Sequence, residues 1–287
     1  MQSPRRPARA AGRNRAGYWD RLLVQTDKMR FLITAGGTRE YIDPVRFISN
    51  ASSGRMGYAL VRAALKAGHK VTLITASTPA FAGASLSLQK QGQPVPSAAK
   101  IIKVETAAQM FEAVRKHFSR CDCLIMAAAV ADYTPAYPAK TKIKRTGKPL
   151  SIKLKPTVDI LKWAGKHKKL RRQKTEDRKR RTEDREQSAG RLPAKTEDRR
   201  QKAKGRRQRR QIVAGFALED RNIRARAEKK LKEKNLDMIV ANTPAAIGAG
   251  KSTVQIKICG RKWLGLTQAT KATIAKRIIR EAENLLE

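Results

Sequence analysis

Residues 43–60, DPVRFISNASSGRMGYAL, crowd small hydrogen-bonding side chains at the mouth of a helix: Ser49, Asn50, Ser52 and Ser53, then Gly54. They follow Gly36-Gly37-Thr38 closely. Glycines let backbone N–H groups approach an anion, and the first turn of a helix carries N–H groups with no internal acceptor. The pattern suits a phosphate, with Gly36 and Gly37 as a candidate cradle, although many strand-to-helix turns carry two glycines for geometry alone. Ser52 or Ser53 is expected to cap a helix starting near Gly54. Capping explains one serine and leaves Asn50 over.

Other groups invite a chemical reading. Asp132 ends the apolar run CDCLIMAAAVADY, as expected where the carboxyl end of a central parallel strand meets a site. Lys142, Lys144 and Arg145 follow in KIKR. They are either the charge that protects an exposed edge strand or a mobile cationic flap that closes on polyphosphate. GAGKST at 248–253 has Ala245 where a phosphate loop needs its first glycine, and it precedes a strand-like VQIKI. It is therefore set aside as a nucleotide loop. His69, His117 and His167 have neither metal nor triad spacing and read as structural. Cys121 and Cys123 lack the further ligands of a zinc site, and Cys259 is remote. The cysteines read as small buried residues of a reducing cytosol.

These groups need a scaffold. RFLITAGGT reads as a buried strand ending in a tight turn. SGRMGYALVRAALKAG places Met56, Leu60, Val61, Ala64 and Leu65 at helical spacing and closes at Gly68. HKVTLITA completes a strand–helix–strand unit. IIKVET is a further strand, AAQMFEAVRKHF a helix, and CDCLIM a central strand. In KTKIKRTGKPLSIKLK apolar and basic residues alternate around Gly147, which suggests a β-ribbon with a cationic face. VDILKWAG starts another helix. QIVAGFALE and MIVAN are strands on either side of the charged helix RNIRARAEKKLKEKNLD. VQIKICGRKWLGL is a hairpin turning at Gly260-Arg261, and KATIAKRIIREAENLL is a final amphipathic helix. The alternation points to an open, doubly wound α/β sheet. Such a start also raises a dinucleotide oxidoreductase, but G-x-G-x-x-G and a suitably placed ribose-binding acid are missing.

Composition sets the limits. The 287 residues suffice for one large α/β domain or two small ones, and 40% apolar content provides a core. A formal charge of +40, from 64 Lys+Arg against 24 Asp+Glu, attracts polyanions: nucleic acid, nucleotides or phosphorylated metabolites. Aromatics at 5% argue against a base-stacking surface. No apolar run reaches the length of a membrane span. Residues 1–29 read as a basic extension, disordered or preceding a true start at Met29, in preference to a transit peptide. Residues 166–211 form a low-complexity basic insert in which KTEDR or RTEDR recurs without apolar positions, so neither a coiled-coil seam nor a solenoid is encoded. It reads as disordered or loosely helical and as a solvated linker in preference to a nucleic-acid-binding segment, whose affinity would be nonspecific and salt-dependent.

The stretch ITAGGTREYIDPVRFISNASSGRMGYALVRAA, followed in order by AAAVADY, KIKR, VDIL, VAGFALE and KKLKEKNLDMIVAN, resembles phosphopantothenoylcysteine synthetase, or phosphopantothenate–cysteine ligase. The resemblance runs from Arg30 to Leu286 apart from the insert. It implies a Rossmann-like, doubly wound, mostly parallel sheet with a β-ribbon flap. It also implies a cytoplasmic homodimer and a ligase domain over 30–287, in a stand-alone form without the fused decarboxylase half. A separate phosphopantothenoylcysteine decarboxylase would then act next. The implied reaction joins 4′-phosphopantothenate to L-cysteine, with CTP preferred to ATP as co-substrate and Mg²⁺ on the triphosphate. An acyl-cytidylate forms with loss of pyrophosphate, and the cysteine amine then displaces CMP. By resemblance Asn50, a neutral donor beside the acyl-phosphate, and the flap lysine Lys142 are catalytic. Arg46, Asn50 and the backbone near Ala129 would bind phosphopantothenate, Arg46 across the dimer interface. Nucleotide contacts would fall to Gly36, Gly37, Ser53 and Gly54; to Met126, Ala127, Ala128 and Asp132; and to Lys142, Val158, Asp159, Ile160, Leu161, Phe216, Lys230 and Lys234. The chain departs from the family at Thr157-Val158, in place of Asn-Pro, at Thr243, in place of Asp, and at Arg145, in place of Lys. The insert replaces a short loop flanked by nucleotide contacts, and is expected to bulge outward.

Overall fold

The computed structural model describes residues 28–76, 99–168, 211–247 and 249–286. Residues 1–27 and most of the basic insert lie outside them. The strands are β1 (Arg30–Gly36), β4 (Lys70–Ala76), β5 (Ala99–Lys103), β6 (Cys123–Met126), β9 (Ile212–Leu218), β10 (Met238–Asn242), β11 (Lys251–Ile258) and β12 (Leu264–Thr270). They form one eight-stranded sheet in the order β12-β11-β10-β9-β6-β1-β4-β5. Pairing is parallel from β10 through β5 and antiparallel for β10–β11 and β11–β12. The chain builds outward from β1 through β4 to β5, then returns to β6 and builds the other way. The reversal between β1 and β6 is the topological switch point, where the strand ends of such sheets leave a crevice.

Among the described residues five helices cover the two faces. Helices α1 (Arg55–Lys66) and α5 (Lys271–Glu283) bury Leu60, Val61, Ile274 and Ile278 against one face. On the other lie α2 (Ala107–Phe118), α3 (residues 160–168) and α4 (Ile223–Glu233), through Met110, Val114, Leu161 and Leu231. Burial on both faces is why β1 reads as a continuous apolar run: Phe31 and Ile33 face one core and Leu32 the other. Thr106 and Gln109 close a capping box on α2, which fixes its start. Gly68, at φ 83°, ends α1 where the sequence places the stop. Among the described residues no helix is long and apolar enough to cross a membrane.

Two small sheets sit at the carboxyl edge. β2 (Arg39–Asp43) and β3 (Arg46–Ser49) form a hairpin that hydrophobic alternation does not announce. Asp43 shapes its turn, its Oδ1 accepting from the N–H groups of Val45 (3.0 Å) and Arg46 (2.8 Å). β7 (Tyr133–Pro135) pairs with β8 (Leu154–Pro156). This pair corrects the expected ribbon: it lies at the base of the segment, and KIKR has no strand partner. The reason is a competing set of bonds. Ile143 N donates to Asp43 Oδ2 (3.1 Å), Arg46 donates to the Ile143 carbonyl (2.7 Å), and Ala139 N donates to the Ile42 carbonyl (2.8 Å). The segment thus docks on the β2–β3 hairpin.

The cysteines divide. Cys121 and Cys123 are buried, with burial pushing the Cys121 thiol up to about 12, whereas Cys259 is exposed on the last hairpin.

Candidate active site

The carboxyl ends of β6, β9 and β10, with the loop entering α1, enclose a cavity of about 540 Å³. It spans the sheet from the α1/α5 face to the α3/α4 face and lies in the size range of small-molecule sites. Each wall comes from a different part of the chain.

The loop before α1 supplies Asn50, Ser53 and Gly54, and the helix itself adds Arg55. Its cap corrects the sequence reading. The N-cap is Gly54 itself, at φ 67°, and no side chain caps the helix. Ser52 only receives a long bond from Gly54 N, at 3.4 Å. A side chain at Gly54 would press on Gly36 N at 3.2 Å, so the loop lies too close to β1 for a serine cap. The first-turn N–H groups therefore keep their capacity for a ligand.

Gly36 and Gly37 do not line the cavity. A Cβ on Gly36 would stand 2.4 Å from the Ala76 carbonyl, and one on Gly37 would stand 2.7 Å from the Asn50 carbonyl. Both glycines let strands and loop close beneath the site. The loop after β6 passes directly above, and Met126, Ala127, Ala128, Ala129 and Asp132 form its wall. Asn50 Nδ2 donates to the carbonyls of Ala129 (3.3 Å) and Val130 (3.1 Å), which fixes the two loops together.

The opposite wall is the start of α3, through Val158, Asp159, Ile160 and Leu161. Asp159 caps that helix by accepting from Lys162 N at 2.9 Å, and pairs with Lys234 Nζ at 2.7 Å. Burial pushes the Asp159 carboxyl up, but Lys234 and the Lys162 N–H outweigh it, and the net shift is downward. Lys230 completes this wall with Phe216, donating to the Phe216 carbonyl at 2.8 Å. Burial, then the charge of Lys234, lowers the Lys230 pKa, while Glu219, Asp159 and Asp132 pull it back. A partly buried lysine with a depressed pKa beside a cavity is a feature of anion and reaction sites.

Besides the two glycines, two more expected residues stand elsewhere. Arg46 is clamped by Asp43, at 2.9 Å from Nε and 2.5 Å from Nη2, on the hairpin outside the cavity. Lys142 is exposed on the segment between β7 and β8, also outside it. Sequence reading missed Asn242, Ser252, Val254 and Lys271, which close the α5 end. Ser252 belongs to the GAGKST segment set aside as a nucleotide loop. That judgement holds for its conformation, since Lys251 opens β11, but the strand brings its serine to the site. None of the three histidines lines the cavity. His69 instead bridges Met29 N (3.3 Å) and Glu283 (2.6 Å).

Among the described residues no group of three or more His, Cys, Asp or Glu stands together as a metal cage. The donors these residues offer do not fit a resident metal ion.

The profile of the DNA/pantothenate metabolism flavoprotein C-terminal domain matches residues 26–175 and 170–286. The chain is 38% identical over 219 residues to the coenzyme A biosynthesis bifunctional protein CoaBC of Bacillus subtilis, covering 76% of this chain and 41% of that protein. It is 32% identical over 262 residues to its namesake in Vibrio vulnificus, covering 89% and 52%. The chain thus spans about half the length of the curated relatives it matches. The crystal structure of the C-terminal domain of a CoaBC protein superposes with a TM-score of 0.61 at 31% identity, covering 90% of this chain and 95% of that one. The DNA/pantothenate metabolism flavoprotein from Streptococcus pneumoniae shares the fold, with a TM-score of 0.63 at 20% identity, covering 90% and 99%. The sheet order, the cavity at its switch point and these matches lead to one assignment: the chain belongs to the family of the DNA/pantothenate metabolism flavoprotein C-terminal domain.

Proposed function

We propose that the chain is a phosphopantothenate–cysteine ligase that uses CTP in preference to ATP. One observation carries the reading. Residues scattered from Asn50 to Lys234, picked out by resemblance to that ligase, line a single cavity at the carboxyl edge of the sheet.

The chemistry suits the walls. A carboxylate is a poor electrophile and must first be activated. In this reading the phosphopantothenate carboxylate attacks the α-phosphorus of MgCTP, and pyrophosphate leaves. The cysteine amine then attacks the acyl carbon, a proton is lost, and CMP departs with the electrons of the acyl–oxygen bond. Both steps concentrate negative charge. The open first turn of α1 and the Lys230 ammonium are preorganised against it. Lys234, held by Asp159, fixes the start of α3 beside the nucleotide. Lys142 reaches the phosphates when its segment folds over the cavity.

A homodimer belongs to the same reading, because the β2–β3 hairpin exposes Val45, Phe47 and Ile48 and Arg46 stands on that hairpin, outside its own cavity. The amide product is the substrate expected for a decarboxylase acting next. The test is direct. Protein, 4′-phosphopantothenate, cysteine and MgCTP should yield pyrophosphate and a product of the amide's mass, with slower turnover on MgATP. Absence of both products with either nucleotide would remove the proposal.

A further inference from the structure

The two ends of the cavity differ in charge. Among the described residues its lining carboxylates are Asp132 and Asp159, which both act on Lys230 at the α4 end, and Asp159 is already paired with Lys234. Among the described residues no carboxylate lines the α5 end. Lys271 stands there at the first position of α5, its Nζ donating to the Ala246 carbonyl at 3.3 Å. Burial, then the charge of Arg55, lowers its pKa. A partly desolvated ammonium whose bond is a 3.3 Å contact to a carbonyl is stabilised when an anion joins it.

Ser252 is a second, independent sign. It is 6% exposed, it lines the cavity, and its Oγ has no hydrogen-bond partner among the described residues. A buried hydroxyl without a partner costs free energy and is rare in a native fold. The uncapped first turn of α1 faces the same end, with Arg55 and Met56 in its wall.

We propose that Ser252, Lys271 and the first turn of α1 form a diphosphate subsite that receives the β- and γ-phosphates of the nucleoside triphosphate. This rests on the nucleotide-dependent reading above. As the carboxylate oxygen bonds to the α-phosphorus, the bond from that phosphorus to the α,β-bridging oxygen breaks, and the electron pair stays on the bridging oxygen. Pyrophosphate gains negative charge at that moment. Lys271, Arg55 and the helix N–H groups are placed to stabilise it, and the Ser252 hydroxyl donates to one of its oxygens. The nucleoside and α-phosphate then lie toward Phe216, Lys230 and α3.

The test uses inorganic pyrophosphate and CMP as separate probes, titrated into the full chain with binding followed by calorimetry. Lys271→Met should weaken pyrophosphate at least about tenfold and leave CMP within about twofold. Ser252→Ala removes a hydroxyl that bonds nothing within the described protein, so the fold should keep its melting temperature while pyrophosphate weakens about threefold. Three outcomes would overturn the subsite. They are pyrophosphate failing to bind the wild-type chain, pyrophosphate binding unchanged in both variants, and its loss in Lys234→Met with retention in Lys271→Met. Failure of the ligase reading is a different result. If no amide forms with any nucleotide but Lys271→Met abolishes pyrophosphate binding, the subsite stands and the ligase assignment falls. If turnover is normal and neither variant changes pyrophosphate binding, the reverse holds.

Discussion

Asn50 donates its side-chain amide to the Val130 carbonyl at 3.1 Å and shares it with Ala129 at 3.3 Å. The sequence reading made this residue a donor to an acyl-phosphate. In the structure both amide hydrogens serve the loop after β6, which leaves the Oδ1 acceptor to face a ligand. An acceptor suits the incoming cysteine amine better than a phosphate. Asn50→Ala should therefore release pyrophosphate at near-normal rate, while amide formation slows at least about tenfold. Rapid-quench measurement of the two half-reactions decides it, and equal slowing of both would contradict the assignment.

Lys230 is charged against a gradient of burial. A lysine whose folded pKa lies below its unfolded value of 10.5 costs stability while protonated in the fold. That cost is present below the folded pKa, and it fades as the pH rises through that value toward 10.5. Lys230→Met should thus melt no lower than wild type at pH 7, with any gain shrinking near the alkaline end. Nucleotide affinity should fall at least about tenfold, because the ammonium is there for phosphate. A variant that is clearly less stable at neutral pH would show that Lys230 is structural instead.

Gly57 tests how tightly α1 must lie on the sheet. A Cβ there would come within 2.4 Å of the Ala35 side chain and 3.1 Å of the Thr34 carbonyl. Alanine normally stabilises a helix by about 1 kcal/mol over glycine. Here overpacking of about 1–3 kcal/mol should outweigh it. Gly57→Ala is expected to lower the denaturant midpoint and to weaken nucleotide binding, since the first turn of α1 shifts with the helix. An unchanged midpoint would mean that α1 has room to move.

The insert is attached far from the chemistry. Lys168 Nζ and Val213 N both bond Asp237 Oδ2, at 2.5 Å and 2.8 Å. The chain therefore leaves α3 and enters β9 at nearly the same point. The cavity lies at the other ends of these two elements, with Asp159 and Phe216. Replacing residues 169–210 by about eight Gly/Ser residues should keep turnover within about twofold and the melting temperature within a few degrees. Loss of folding would show that the insert is part of the domain.

The sequence by itself determined most of the fold. Period-3.6 and unbroken apolar runs marked α1, α2, α4, α5 and the strands of the main sheet, because burial on one helix face or both sheet faces writes directly into residue order. Gly68 and Gly260 marked chain reversals through backbone conformations that glycine adopts at little cost. The Asn50 loop and the strand end at Asp132 were legible in local residue order, whereas Asp159, Phe216 and Lys230 were marked only by the family resemblance.

Tertiary contact decided the rest. The β2–β3 hairpin depends on Asp43, Arg46 and Ile143 bonding across distant segments, and the same bonds take KIKR out of the expected ribbon. Gly36 and Gly37 look like a phosphate cradle until the proximity of Ala76 and Asn50 gives them a packing role. Ser252 and Lys271 carry no local signal, for each sits in an ordinary strand or helix start. Only the antiparallel return of β11 beside β10, and the packing of α5 on α1, bring them to the cavity. Propensity and periodicity act over a few residues, whereas a binding site is made where elements remote in sequence end together.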